Sequence, residues 1–371
     1  MPQQEFIRRA THKIPSLDGL RALSILVVML SHSGLQDRIP GVFGVTVFFF
    51  ISGFLITTLL ADEYRAHTDI AVGMFYMRRL LRLFPPLFVM VAVTGAIWVA
   101  VGERLHPLGV LGALAYMTNY LVIFVPQIMD GIGGQLWSLA VEEHFYLFFP
   151  WLMLFVLARP RIVIPTFLAL CVMSLMVRVI VALTWPEAAT LYNGVATECR
   201  IDAILFGAIA AILRDGPQAN RLLDRVSRPS VVVTALVILL ATFLVRDTFF
   251  RSTFRYTIQS IALIPPILAV TSTNRYAWIR KLLDSRPLVE IGVLSYSLYL
   301  WHLAGLELGV AAATYFGLPA VSGRMFGWMI TFLVAVLSYK FVERPFFALR
   351  RRYGSRLHEE QAIKAQVAAT S

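Results

Sequence analysis

Residues 17–32, LDGLRALSILVVMLSH, open with a polar turn and continue as an apolar run that ends on a histidine. Apolar runs of about 15–22 residues recur along the whole chain, and about 20 such residues are needed to cross the hydrocarbon core of a bilayer. Of 371 residues, 58% are apolar and 15% are charged. Mean hydropathy is +0.71. Soluble domains carry about 45–50% apolar and about 25% charged residues, so a soluble enzyme, a disordered chain and a disulfide scaffold are excluded together. The expected fold class is an all-α integral membrane protein.

The net charge of +11, from 33 Lys+Arg against 22 Asp+Glu, invites a nucleic-acid reading. No soluble segment is long enough to form such a domain, and basic residues in membrane proteins mark cytoplasmic loops. No nucleic-acid partner is therefore expected; membrane lipids are. Cys171 and Cys199 both lie in apolar runs and read as small buried hydrophobes, not a disulfide or metal site. No small-residue cleavage site follows the first run, which is expected to remain as a signal anchor.

Eleven candidate runs lie at about 17–33, 42–60, 84–101, 108–125, 136–157, 162–184, 194–213, 231–245, 257–272, 290–314 and 322–343. Both ends of the chain are basic, with Arg8, Arg9 and Lys13 at one and Arg344, Arg350, Arg351, Arg352, Arg356 and Lys364 at the other. The positive-inside rule places both in the cytoplasm, so the number of crossings must be even. Run 108–125 contains Gly109, Gly112, Thr118 and Asn119 and precedes a loop without Lys or Arg. We read it as an extra membrane segment that does not cross. The expectation is a bundle of about ten transmembrane helices in the inner membrane of a bacterial cell, flanked by a cytoplasmic segment (1–13) and a cytoplasmic polar tail (348–371) around one membrane domain (14–347). Six arginines fall outside on this topology: Arg38, Arg104, Arg246, Arg251, Arg255 and Arg324. Loop 246–256 is a basic exception for which the charge rule offers no account.

Ionisable groups in hydrocarbon cost at least about 2.5 kcal/mol each by insertion scales, so they tend to face a cavity. Asp18, Arg21 and His32 lie on the first run. The eleven-residue step from Arg21 to His32 returns within about 20° of one helix face and rises about 16 Å. One stripe thus presents a guanidinium and, three turns on, an imidazole. Snorkelling of Arg21 to the interface and an interhelical hydrogen bond at His32 would explain the pair equally well. In WSLAVEEHFYLFFP (137–150), Glu142, Glu143 and His144 are consecutive and cannot share a face. At least one should meet a cavity or a membrane arginine. Glu198 and Asp202 share a face of TECRIDAILFG (197–207), with Arg200 elsewhere, and fit interhelical pairing as well as chemistry. Ser295, Tyr299 and His302 form a polar stripe that reads more readily as glue between helices. Arg78, Arg79 and Arg82 stand in MFYMRRLLRLFPPL (74–87), expected to be a cytoplasmic loop before the bilayer entrance. Such clusters hold phosphates, anionic lipids or simply topology.

Taken together these stretches resemble the membrane-bound acyltransferase family 3, which includes O-antigen, exopolysaccharide and macrolide O-acyltransferases. The resemblance is carried by the Arg-x10-His pair Arg21 and His32, by GVTVFFFISGFLI (44–56), and by the arginine run before Pro85. Further on it rests on WSLAVEEHFYLFFP, YSLYLWH (296–302) and FVERPF (341–346), so that it spans about 14–347. His144 departs from the family, which more often has Gln there. Members with an extracytoplasmic hydrolase-like domain also differ from this chain, so the chemistry is expected to be completed in the membrane part or by a partner.

The resemblance implies transfer of an acyl group, expected to be acetyl from cytoplasmic acyl-CoA, to a hydroxyl of a carbohydrate, a lipid-linked glycan or a glycosylated small molecule. No metal is called for, and an oligomer is compatible with the sequence. Arg78, Arg79 and Arg82 would hold the donor's phosphates, with Arg21 next along the stripe. The extended pantetheine arm would reach towards His32 as general base. Glu142 or Glu143 would fix the imidazole tautomer, as the third group of a triad does. Asp18, Tyr299 and His302 are further candidates. The competing class is a polytopic transporter or flippase for an anionic or sugar substrate; the matched broken helices of such proteins are not evident in the two halves. A third reading is a subunit that passes an acyl group to a separate enzyme.

Overall fold

The computed structural model describes residues 14–36, 38–216 and 218–350, which form helices joined by short connections and contain no strand. The expected segment 1–13 and the tail beyond 350 lie outside the described residues. Helix α1 (Leu17–Leu30) runs into a wide π turn (Ser31–Leu35), followed by α2 (Gly41–His67) and α3 (Val72–Ala100). Two short helices follow, α4 (Pro107–Leu114) and α5 (Thr118–Phe124), then α6 (Trp137–Leu157), α7 (Val163–Thr184), α8 (Pro186–Val195) and α9 (Thr197–Asp215). The second half comprises α10 (Ala219–Val226), α11 (Pro229–Leu244), α12 (Thr248–Ser252), α13 (Phe254–Ser272), α14 (Ala277–Leu283), α15 (Arg286–Tyr315) and α16 (Ala320–Ser338). A second π turn (Tyr339–Glu343) leads into α17 (Arg344–Arg350).

Five helices are long and apolar enough to cross a membrane, or seven if the bent pairs α10–α11 and α13–α14 each count as one span. The protein is a multi-pass membrane protein. Three further long helices fall short of that measure for a physical reason. α1 is only 14 residues long, whereas α9 carries Glu198, Arg200, Asp202, Arg214 and Asp215, and the middle of α15 is the polar stripe Ser295–Ser297, Tyr299 and His302. Their polar groups are turned inward: Arg200, Asp202, Ser295, Ser297 and His302 are all buried. α9 sits at the centre, packed on α2, α7 and α13, while α15 packs on α1 and α16.

Run 108–125 is two helices of 8 and 7 residues, broken at Tyr116, whose φ is 58°. At 1.5 Å per residue each is about 10–12 Å long, well short of a bilayer core of about 30 Å. The arginine run differs from expectation. Arg78, Arg79 and Arg82 stand on α3 itself, which starts at Val72 and continues through Pro85 and Pro86. Prolines inside a membrane helix are tolerated because packing and local adjustment replace the lost backbone bonds.

Close helix approach depends on glycine, as is usual where lipid provides no hydrophobic drive for association. A Cβ at Gly53 of α2 would collide with the Ile204 carbonyl of α9, and one at Gly309 of α15 would collide with the Gly327 backbone of α16. A buried ion pair ties α7 to α9: Arg178 Nη2 lies 2.7 Å from Asp202 Oδ2, both fully buried, and Thr257 of α13 donates to the same oxygen at 2.7 Å.

Candidate active site

Among the described residues, two neighbouring cavities lie along α1. Arg21, near the start of α1, faces the first, of about 90 Å³. Around it stand Ser52 of α2, Arg79 and Arg82 of α3, Glu142 of α6 and Ser295 of α15. Ser52 donates to Glu142 Oε1 at 2.6 Å. Arg79 rests on the Tyr146 ring, 4.0 Å from its centroid, so a cation–π contact fixes where its guanidinium points. Asp18 pairs with Arg21 at 3.9 Å. Arg78, expected beside its neighbours, does not line this cavity; its Nη2 is 3.7 Å from buried Glu63 of α2.

The second cavity, of about 370 Å³, contains His32 and opens between the end of α1, the start of α2 and the connection from α11 to α13. His32 stands in the π turn, where Ser33 and Gly34 leave helical geometry and Gly34 takes φ 81°. Such turns interrupt regular packing and often mark functional positions. Ser33 is anchored from both sides, donating to Met29 O at 2.8 Å and accepting from Trp328 Nε1 of α16 at 2.8 Å. The imidazole beside it is thereby presented to open space, and His32 is exposed.

His32 Nδ1 lies 2.9 Å from Val28 O. A carbonyl only accepts, so Nδ1 carries the proton and Nε2 retains the lone pair. The tautomer-fixing role expected of Glu142 or Glu143 thus belongs to the Val28 carbonyl. Glu142 is committed to Ser52 in the other cavity. Glu143 lines neither cavity, and its Oε1 is buried without a hydrogen-bond partner. His302 of α15, buried, packs against His32 with ring centroids 5.0 Å apart. Its Nδ1 lies 2.7 Å from Tyr299 O, and its Nε2 has no partner.

Tyr299 and Val45 line both cavities and form the partition between them. The Tyr299 hydroxyl donates to the Gln135 carbonyl. Its only proton is then used, so Ser138 is the donor in the 2.6 Å contact between the two hydroxyls. The stripe Ser295, Tyr299, His302 therefore reaches three environments: the first cavity, the partition, and the back of His32.

Glu198, His144, Arg200 and Glu343 have structural partners. Glu198 accepts from Tyr120 at 2.7 Å and from Tyr192 at 2.5 Å. His144 Nδ1 lies 2.8 Å from Thr197 Oγ1. Arg200 donates to Thr46 at 2.9 Å and sits 3.9 Å from the Tyr256 centroid. Glu343 of the terminal motif accepts from Ser297. Sequence reasoning missed Ser52, Gln135 and Ser138, which are ordinary polar residues until tertiary contact places them at the cavities. It noticed arginines 246, 251 and 255 without an explanation, and all three line the cavity of His32.

Residues 14–340 match the family described as the acyltransferase domain. The O-acetyltransferase OatA of Staphylococcus aureus (strain NCTC 8325 / PS 47) is 30% identical over 352 residues, covering 90% of this chain and 57% of that protein. A putative O-acetyltransferase of Staphylococcus aureus (strain COL) is 31% identical over 355 residues, with the same two shares, 90% and 57%. The chain therefore spans a little over half the length of the curated relatives it matches. No solved structure matches it at a significant level.

Proposed function

We propose, on the premise that this chain belongs to the acyltransferase domain family, that it is a membrane O-acetyltransferase. It moves an acetyl group from cytoplasmic acetyl-CoA to a hydroxyl of a carbohydrate or glycosylated acceptor. The observation that carries this reading is the pair of cavities meeting at Tyr299, one walled by Arg21, Arg79 and Arg82 and the other by an exposed imidazole with its Nε2 lone pair available. In the proposed topology ten helices cross the inner membrane and both termini are cytoplasmic, so the arginine cavity receives the anionic thioester from inside and His32 meets the acceptor from outside.

Arg79 and Arg82 hold the donor's phosphates through charge-assisted hydrogen bonds, and Glu142 with Ser52 balances and orients the cations around it. The pantetheine arm passes Tyr299 to bring the thioester to His32. The acceptor oxygen attacks the thioester carbonyl: the new C–O bond forms, the C–S bond breaks, and His32 Nε2 takes the hydroxyl proton. Returning that proton to the thiolate yields the acetyl ester and CoA thiol and resets the imidazole. General-base catalysis of this kind contributes about 10²–10⁴-fold.

The test is transfer of label from radiolabelled acetyl-CoA to glycan hydroxyls by the purified protein in vesicles. His32→Ala should insert and fold normally while losing transfer. Full activity in that variant removes the base assignment, and label that never reaches a hydroxyl with the unaltered protein removes the reaction.

A further inference from the structure

The cavity of His32 is lined by four arginines: Arg38 from the connection after α1, and Arg246, Arg251 and Arg255 from the connection between α11 and α13 and the first turn of α13. Among the described residues no Asp or Glu lines it. Two carboxylates adjoin these arginines in sequence: Asp37 lies outside the described residues, and Asp247 is engaged at the start of α12, accepting from the Phe250 amide at 2.6 Å. None of the four arginines makes an ion pair with a described carboxylate. Arg255 is half-buried and held against Tyr256, 5.3 Å from its centroid, while Arg200 lies 3.9 Å from the same ring. The arginine wall is therefore backed by a fixed surface. Four like charges around one concavity raise its positive potential and the local concentration of anions. Guanidinium groups match the planar oxygens of carboxylate and phosphate. In the proposed topology these residues face outward, on the side the positive-inside rule leaves poor in Lys and Arg, so topology does not account for them.

We propose that the acceptor is an acidic glycan, with a carboxylate or phosphate near the acetylated hydroxyl, and that Arg246, Arg251 and Arg255 bind that anion and so position the hydroxyl over His32. The proposal rests on the acetyl-transfer reading and adds the substrate class to it. The anion is not expected to come from the donor, because Arg79 and Arg82 line the other cavity, beyond the partition.

The test uses the full chain in neutral-lipid nanodiscs with acetyl-CoA and three acceptors: a neutral disaccharide, the same disaccharide oxidised to its uronic acid, and its monophosphate. The acidic forms should have a KM about tenfold or more below the neutral one, and Arg251→Gln and Arg255→Gln should each erase about tenfold of that preference, the scale of one charge-assisted hydrogen bond. The uronate and phosphate arms tell which anion is preferred. Arg251 is exposed, so a thermal melt separates a folded variant from a damaged one. Equal KM values for the three acceptors overturn the proposal. A rise confined to the KM for acetyl-CoA also overturns it, by assigning the arginines to the donor. So does a loss seen only when anionic phospholipid is added to the discs, which would make them lipid contacts. Absence of turnover with all three acceptors counts against the acetyl-transfer reading instead. In that case direct titration of the uronate, followed by tryptophan fluorescence, decides the anion site separately, since Trp137 also lines this cavity. Salt-sensitive binding lost in Arg251→Gln supports it, and no binding overturns it.

Discussion

His32 and His302 pack with their rings tilted by 56°, and each donates its Nδ1 proton to a carbonyl of its own helix, Val28 for the first and Tyr299 for the second. The two imidazoles are thereby fixed in the same tautomer, although only His32 is open to a cavity. The ring of His302 is the surface against which His32 rests, and on the proposed mechanism it would position that imidazole. His302→Ala should lower kcat by roughly 10–100-fold, the cost of losing a held geometry, with little change in the KM for acetyl-CoA. His302→Phe restores a ring without its nitrogens and should recover most of the rate. Steady-state kinetics of the two variants side by side check this; a Phe variant as poor as Ala would give the nitrogens a role of their own.

The three arginines of α3 should separate by function. Replacing Arg79 and Arg82 together by Ala should raise the KM for acetyl-CoA by about tenfold or more, because each removes a charge-assisted contact. Arg78→Ala should instead act through its pair with Glu63, lowering thermal stability with a smaller effect on donor binding. Donor-dependence curves paired with melting curves distinguish the two.

Much of the bundle was legible in the sequence because a helix must be apolar over a known length to sit in lipid. The glycines and polar residues of 108–125 predicted a segment that does not cross, and the structure has two short helices there. Local pattern misled at Arg78–Arg82: a charged run before the apolar stretch reads as a cytoplasmic loop, whereas it belongs to α3, which starts at Val72. The eleven-residue step on α1 predicts Arg21 and His32 on one face of a continuous helix, whereas His32 stands in the π turn beyond Leu30 and the two residues line separate cavities. The step carried no information about the partition, which is made by Val45 and Tyr299 from other helices. Contacts such as His32 with His302, 270 positions apart (302 minus 32), leave no trace in spacing or composition.

The buried pair Arg178 and Asp202 should behave as a structural element. Asp202→Ala leaves a guanidinium enclosed without its counter-charge and should destabilise the fold by about 3–5 kcal/mol. Thermal unfolding in detergent should show it as a lower midpoint or as aggregation, while Glu198→Gln, which keeps one acceptor oxygen and turns the other contact round so that its amide donates to a tyrosine hydroxyl, should be milder.

Opening the partition should uncouple the reaction. Tyr299→Ala removes the ring shared by both cavities and should admit water to the thioester, so that free CoA thiol appears without acceptor. A thiol-reactive dye measures this directly. Thiol release at the background rate in that variant would mean that the ring does not guard the donor.

The Tyr299 hydroxyl is held by Gln135 and Ser138, and two such bonds together contribute about 1–3 kcal/mol. A latch of that strength leaves the passage unfastened for roughly one part in six to one part in 150 of the time. If the acetyl-transfer reading holds, a donor bound in the arginine cavity would depend on brief, recurrent openings, and their frequency would set a ceiling on turnover that sharpening the base at His32 would not lift.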